Sequence, residues 1–174
     1  VVGVTWLYTE RVYNGNEQVP AARIYADKTY SPEVKGAQTE VGDNYPASVE
    51  FELNNPNYIF DDTTLSTTFS IKKATYNMSG VTFSDGSLVY NGNEQNLAIE
   101  GNLPKGNDNI SVEVSYSEGL TEVGSKLITA TFSSTSQNYK LPFTTMEAEL
   151  TITPYPVAVQ WTSTDTFVYD GKFH

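Results

Sequence analysis

Few residues in this chain could do covalent chemistry. Its only histidine is His174 and it has no cysteine. Neither a Ser-His-Asp nor a Cys-His nucleophile can be assembled, and thiolate metal sites and disulfides are excluded. Paired carboxylates can hydrolyse a glycoside, and Asp61-Asp62 is the densest acidic pair. A long internal repeat, however, puts Pro142-Phe143 at the same place in its second copy, so the pair reads as a solvated loop between strands. Asn14, Asn16 and Glu17 beside Gly15 resemble part of a calcium loop, but the regular acidic spacing and the closing bidentate glutamate are missing. A third copy of that stretch carries Lys172 and Phe173 at the matching positions. A Lys-to-amide crosslink at Lys72 or Lys73 is disfavoured because the second copy has Thr153 and Pro154 there. No glycine-rich phosphate loop opens a helix. The chain reads as non-enzymatic, with no catalytic residue, no metal site and no cofactor.

Binding is the remaining chemistry, and it falls to the aromatics. Trp6, Phe83 and Trp161 recur at matched positions, as do Tyr13, Tyr90 and Tyr169, Tyr30 and Tyr116, and Tyr58 and Tyr139. Recurrence of large rings at one place in a repeat marks a core position, so Trp6, Phe83 and Trp161 are assigned to cores. Tyr8 and Tyr25 occur in one copy only. An exposed tyrosine on a rigid β scaffold can stack on a sugar ring, which makes these two the candidate ligand-binding residues.

The elements that must hold these residues follow from the repeat. "VYNGNEQ" stands at residues 12–18 and again at 89–95, and "VYDGKFH" closes the chain at 168–174. The three turns begin at Tyr13, Tyr90 and Tyr169. "TEVG" recurs at 39–42 and 121–124, and from Asn57-Tyr58 against Asn138-Tyr139 the copies run without a gap to Ile71 and Ile152. The middles differ, with an extra "NLPKGND" in the second copy, and length variation belongs in a surface loop. Asn-Gly between apolar runs is the strongest short hairpin signal, through a type I′ turn with positive φ at both central residues. The structural turn residues are therefore Asn14, Gly15, Asn91, Gly92, Asp170 and Gly171.

Within each copy the hydrophobic period is two. Ala47, Val49, Phe51 and Leu53 alternate with small or polar residues, as do Ile110, Val112, Val114 and Tyr116, and then Leu150 and Ile152. Such alternation describes half-buried strands. Turn signals every 8 to 12 residues argue for small all-β sandwiches, with a β-grasp-like unit as the alternative. One helical turn is expected at residues 31–37. The division is residues 1–73, residues 74–153, and residues 154–174 as a linker and the first strand of a truncated third unit. The linkers around Tyr76 and Tyr155 are short and aromatic, which predicts limited bending between neighbours. With the last motif cut short, the sequence reads as a fragment of a longer protein.

Ten Lys and Arg against 21 Asp and Glu give a formal net charge of −11, the wrong sign for nucleic acid. No apolar run approaches the roughly 20 residues of a membrane helix, so direct membrane insertion is not expected. The order of aromatic, V-Y-[ND]-G, "VG", "NY" and closing "FSI" or "LTI" resembles the MBG/YDG-type repeats of large bacterial cell-surface, adhesin-like proteins. "VGDNYPASVEF" is similar to the Ig-like strand that carries a tyrosine corner, although the second copy has Leu127 in place of Tyr45. The resemblance covers essentially the whole chain. It implies tandem Ig-like sandwiches outside the cell, in a structural or adhesive array. The implied partners are neighbouring repeats of the same chain and a host or environmental glycan or protein. The competing reading is a carbohydrate-binding accessory module of a secreted polysaccharide-degrading enzyme.

Overall fold

The structure, a computed structural model, describes residues 1–160 and Gly171. Trp161, Asp170 and the strand expected to open a third unit lie outside the described residues. The fold is all-β: the described residues form 13 strands and one 3-10 turn. In the first half, β1 (Val4–Leu7), β3 (Ala21–Tyr25) and β4 (Thr29–Tyr30) make an antiparallel sheet. The other strands there are β2 (Glu10–Val12), β5 (Val34–Lys35), β6 (Gly42–Val49) and β7 (Ser66–Lys72). They make a second sheet in the order β2-β7-β6-β5.

Period two decides which side chains enter the core. Along β6, Ala47 and Val49 are buried while Pro46 and Ser48 face out, and along β7 Phe69 and Ile71 are buried. Val4, Ala22 and Ile24 from the smaller sheet meet Val49 from the larger one. Tyr13, Ala47, Phe69 and Ile71 form a second cluster, and Trp6 packs against both. The Trp6 indole Nε1 donates to the Thr64 carbonyl at 2.9 Å, which satisfies its polar end.

The second half repeats this path. Its strands are β9 (Gly86–Val89), β10 (Glu113–Tyr116), β11 (Gly124–Ser133) and β13 (Thr145–Thr153), in the order β10-β11-β13-β9. In both sheets the first strand lies parallel to the last, Arg11 opposite Ile71 and Leu88 opposite Ile152. The smaller sheet survives here as bridges, Thr82 to Glu100 and Lys105 to Ser111. Phe83, Ile128, Leu150 and Ile152 centre the core. Between the halves, β8 (Ala74–Thr75) pairs in parallel with β12 (Tyr139–Lys140).

The helical turn expected at 31–37 is not there. Val34 and Lys35 form β5 instead, opposite Val49 and Ser48 of β6. An open strand edge offers backbone partners that outweigh a weak local preference. The 3-10 turn lies at Asp62–Leu65, where the Asp61 carboxylate accepts from the Thr63 amide at 3.1 Å. The Tyr45 hydroxyl reaches back along the chain and donates to the Glu40 carbonyl at 3.2 Å.

Candidate functional site

The two copies of "VYNGNEQ" fold alike, bond for bond. Asn14 Oδ1 accepts from the Asn16 amide at 2.9 Å, and Asn91 Oδ1 from the Asn93 amide at 2.9 Å. Gln18 Nε2 donates to the Val12 carbonyl and Gln95 Nε2 to the Val89 carbonyl, both at 3.1 Å. The Tyr13 amide donates to Lys72 and the Tyr90 amide to Thr153, both at 2.9 Å. Gly15 and Gly92 sit at φ 79 and 81, where a residue with Cβ is strained.

The turn is not the type I′ hairpin expected from Asn-Gly. Among the described residues, positive φ outside glycine is confined to Tyr8, Asn44 and Asn109, so Asn14 and Asn91 contribute side-chain caps, the Asx-turn role. Nor are the flanking strands partners: β2 pairs with β7, and β3 with β1. The turn hands the chain from one sheet to the other, so no two-residue hairpin closes.

What differs between the copies is their surroundings. The first turn is covered by the second half of the chain. Tyr13 is buried, edge-on to Tyr139 with ring centres 5.5 Å apart, and Tyr139 stacks on Tyr76 at 4.6 Å. Asn107 Nδ2 donates to the Asn14 carbonyl at 3.0 Å, and a Cβ on Gly15 would lie 2.8 Å from that of Asn107. Asn138, also buried, reaches across with both ends of its amide. Its Nδ2 donates to Glu40 Oε2 at 2.6 Å, and its Oδ1 accepts from the Val41 amide at 3.1 Å. Ser136 Oγ holds it in place by accepting from the Asn138 amide at 3.0 Å while donating to Asp108. A buried amide with both ends bonded fixes an orientation, because any shift leaves polar groups unpaired.

These contacts form a joint between the two repeats. One side is built from "YNG" and "TEVG" of the first unit. The other is built from "NY" and the inserted loop of the second, whose Asn107 is a clamp as well as a surface residue. Asn107, Asn138 and Glu40 escaped the reading of the sequence. The one signal for Glu40 and Asn138 was that "TEVG" and "NY" recur, and none pointed to Asn107.

Burial pushes the Tyr13 phenol above its ordinary value of 10.0, with further push from the Glu40 and Asp108 carboxylates. A folded-state value above the unfolded one gives stability that is complete below the unfolded pKa and is lost as pH rises through the folded one. Denaturant midpoints are therefore expected to fall above about pH 10, and to fall less steeply in Tyr13→Phe.

Tyr8 and Tyr25 are 67% and 57% exposed. They do not share a platform. Leu7 lies opposite Ala21 and Val4 opposite Ile24, so Tyr8 follows one end of the β1–β3 ladder and Tyr25 ends the other. The Arg11 guanidinium carbon lies 5.7 Å from the centre of the Tyr8 ring. Among the described residues no three His, Cys, Asp or Glu groups converge as a metal site would need. Comparison with known families, curated proteins and solved structures finds no match to this chain.

Proposed function

We propose that this chain is a non-catalytic repeat module of an exported bacterial cell-surface protein, of the MBG/YDG type, with Ig-like units in a stalk or ligand-presenting array. The acidic net charge of −11 suits a solvated surface module, and the backward bond of the Tyr45 hydroxyl to Glu40, like that of a tyrosine corner, supports the Ig-like assignment. One observation carries the mechanical part of this reading: in both units the incoming strand lies parallel beside the outgoing one. Tension between the ends of a unit drags two such strands in opposite directions along their length. Parallel ladder bonds are evenly spaced, so they share that load and yield together.

Single-molecule pulling tests this. End-to-end tension is expected to unfold the second unit at a clearly higher force than tension through cysteines placed at Ser84 and Glu147. The latter pair peels β9 from β13 at the Gly86 end, one bond at a time. Equal forces in the two geometries would reject the load-bearing role. A second reading, a carbohydrate-binding accessory module, is favoured by Tyr8. That exposed ring is held at φ 58 beside Arg11, and backbone strain is retained where function needs it. Glycan binding abolished by Tyr8→Ala would establish it.

A further inference from the structure

The second unit carries its own copy of the surface by which the first unit grips its neighbour. Tyr90, Asn91 and Gly92 match Tyr13, Asn14 and Gly15, and Glu122 and Val123 match Glu40 and Val41. In the first unit Tyr139 packs on Tyr13, Asn107 bonds the Asn14 carbonyl and crowds Gly15, and Asn138 bonds Glu40 and Val41. In the second they lie open among the described residues. Nothing comes within 4 Å of a side chain built on Gly92, Tyr90 is half-buried where Tyr13 is buried, and Val123 is 51% exposed where Val41 is half-buried. A hollow of about 450 Å³ is lined by Tyr90, Asn91, Gly92 and Tyr155. In the first joint a ring packs against the matching tyrosine: Tyr139 lies between Tyr13 and the linker tyrosine Tyr76.

We propose that this hollow is the socket for the next repeat in the chain. An Asn-Tyr pair in that repeat, equivalent to Asn138-Tyr139, fills it. The ring enters between Tyr90 and Tyr155, and the amide bonds the Glu122 carboxylate and the Val123 backbone N–H. This deepens the array reading and rests on it. The contact is head-to-tail and uses different faces of each unit, so it can repeat from one unit to the next along the array. A second copy of this chain is the weaker occupant. Its Asn57-Tyr58 pair could enter, but the first unit lacks the "NLPKGND" insertion and so has no counterpart of the Asn107 clamp on the turn.

The test is a chain in which residues 1–155 are followed directly by a second copy of residues 75–153, which keeps Tyr155 and the spacing that follows Ile71. Amide hydrogen exchange is read at Val41 and Val123. Val123 is expected to exchange at least about tenfold more slowly than in the 174-residue chain, with Val41 unchanged. Asn→Ala at the added copy of position 138 should return Val123 to fast exchange. Val123 exchanging equally fast in both chains, while the added core is protected, overturns the proposal. An added unit with no protected core overturns it too, since the same segment folds behind the first unit across a linker of the same length. Protection of Val123 that rises with concentration in the 174-residue chain overturns the choice of occupant in favour of a second copy. Failure at this socket leaves the shear ladders intact, because they lie within each unit, so pulling separates the two conclusions.

Discussion

Truncating Phe83 to Ala is expected to destabilise the second unit by about 3–5 kcal/mol, the usual cost of deleting a large aromatic from a packed core. Phe83 is buried in the cluster with Ile128, Leu150 and Ile152, and its ring centre is 6.0 Å from that of Tyr116. Trp6→Ala should cost the first unit a comparable amount for a different reason. Trp6 is only half-buried, but it touches both clusters of that unit, and its removal leaves the Thr64 carbonyl without its 2.9 Å donor. Urea midpoints for each unit measure both effects. A loss under about 1 kcal/mol at either position would put that ring at the margin of its core rather than inside it.

Tyr139→Ala should strike both units. Its ring stacks on Tyr76, meets Tyr13 edge-on, and its hydroxyl accepts from the Asn107 amide at 3.2 Å. Aromatic pairs add about 0.5–1.5 kcal/mol each beyond area. The ring is half-buried, so a total of about 2–4 kcal/mol is expected, below the full-core value. Because the lost contacts cross the joint, the two units should then unfold in separate transitions. Trp6 fluorescence in a Trp161→Phe background reports the first unit, and amide resonances report the second. Coincident transitions with an unchanged midpoint would mean that Tyr139 carries no load between units.

The strands that period two could reveal are those long enough to show it. β6, β7, β11 and β13 bury alternate residues, and Ala47, Val49, Leu150 and Ile152 were legible as core. β4, β5, β8 and β12 are two residues each, too short for any period, and residues 31–37 were misread for that reason. The Asn-Gly signal located the turn correctly but mistook its geometry. Whether two strands close a hairpin depends on their partners, and the partner of β2 is β7, some sixty residues on in sequence. The joint was hidden more deeply. Asn107, Asn138 and Glu40 are ordinary polar residues by type, and their roles exist only where two units meet. Tyr8 and Tyr25 were expected to be free of framework duty, and both are exposed. Their separation along the β1–β3 ladder is a fact of register that composition cannot supply.

The central claim is that the recurring Tyr-Asn-Gly turn is a joint between repeats as well as a bend within one. A double-mutant cycle on Tyr13→Ala and Tyr139→Ala, measured in urea on the whole chain, tests it most directly. A joint predicts that the two losses fail to add, with a coupling of about 0.5–1.5 kcal/mol for the ring pair. Losses that add to within about 0.3 kcal/mol would contradict it, and would leave the turn as a bend inside one unit.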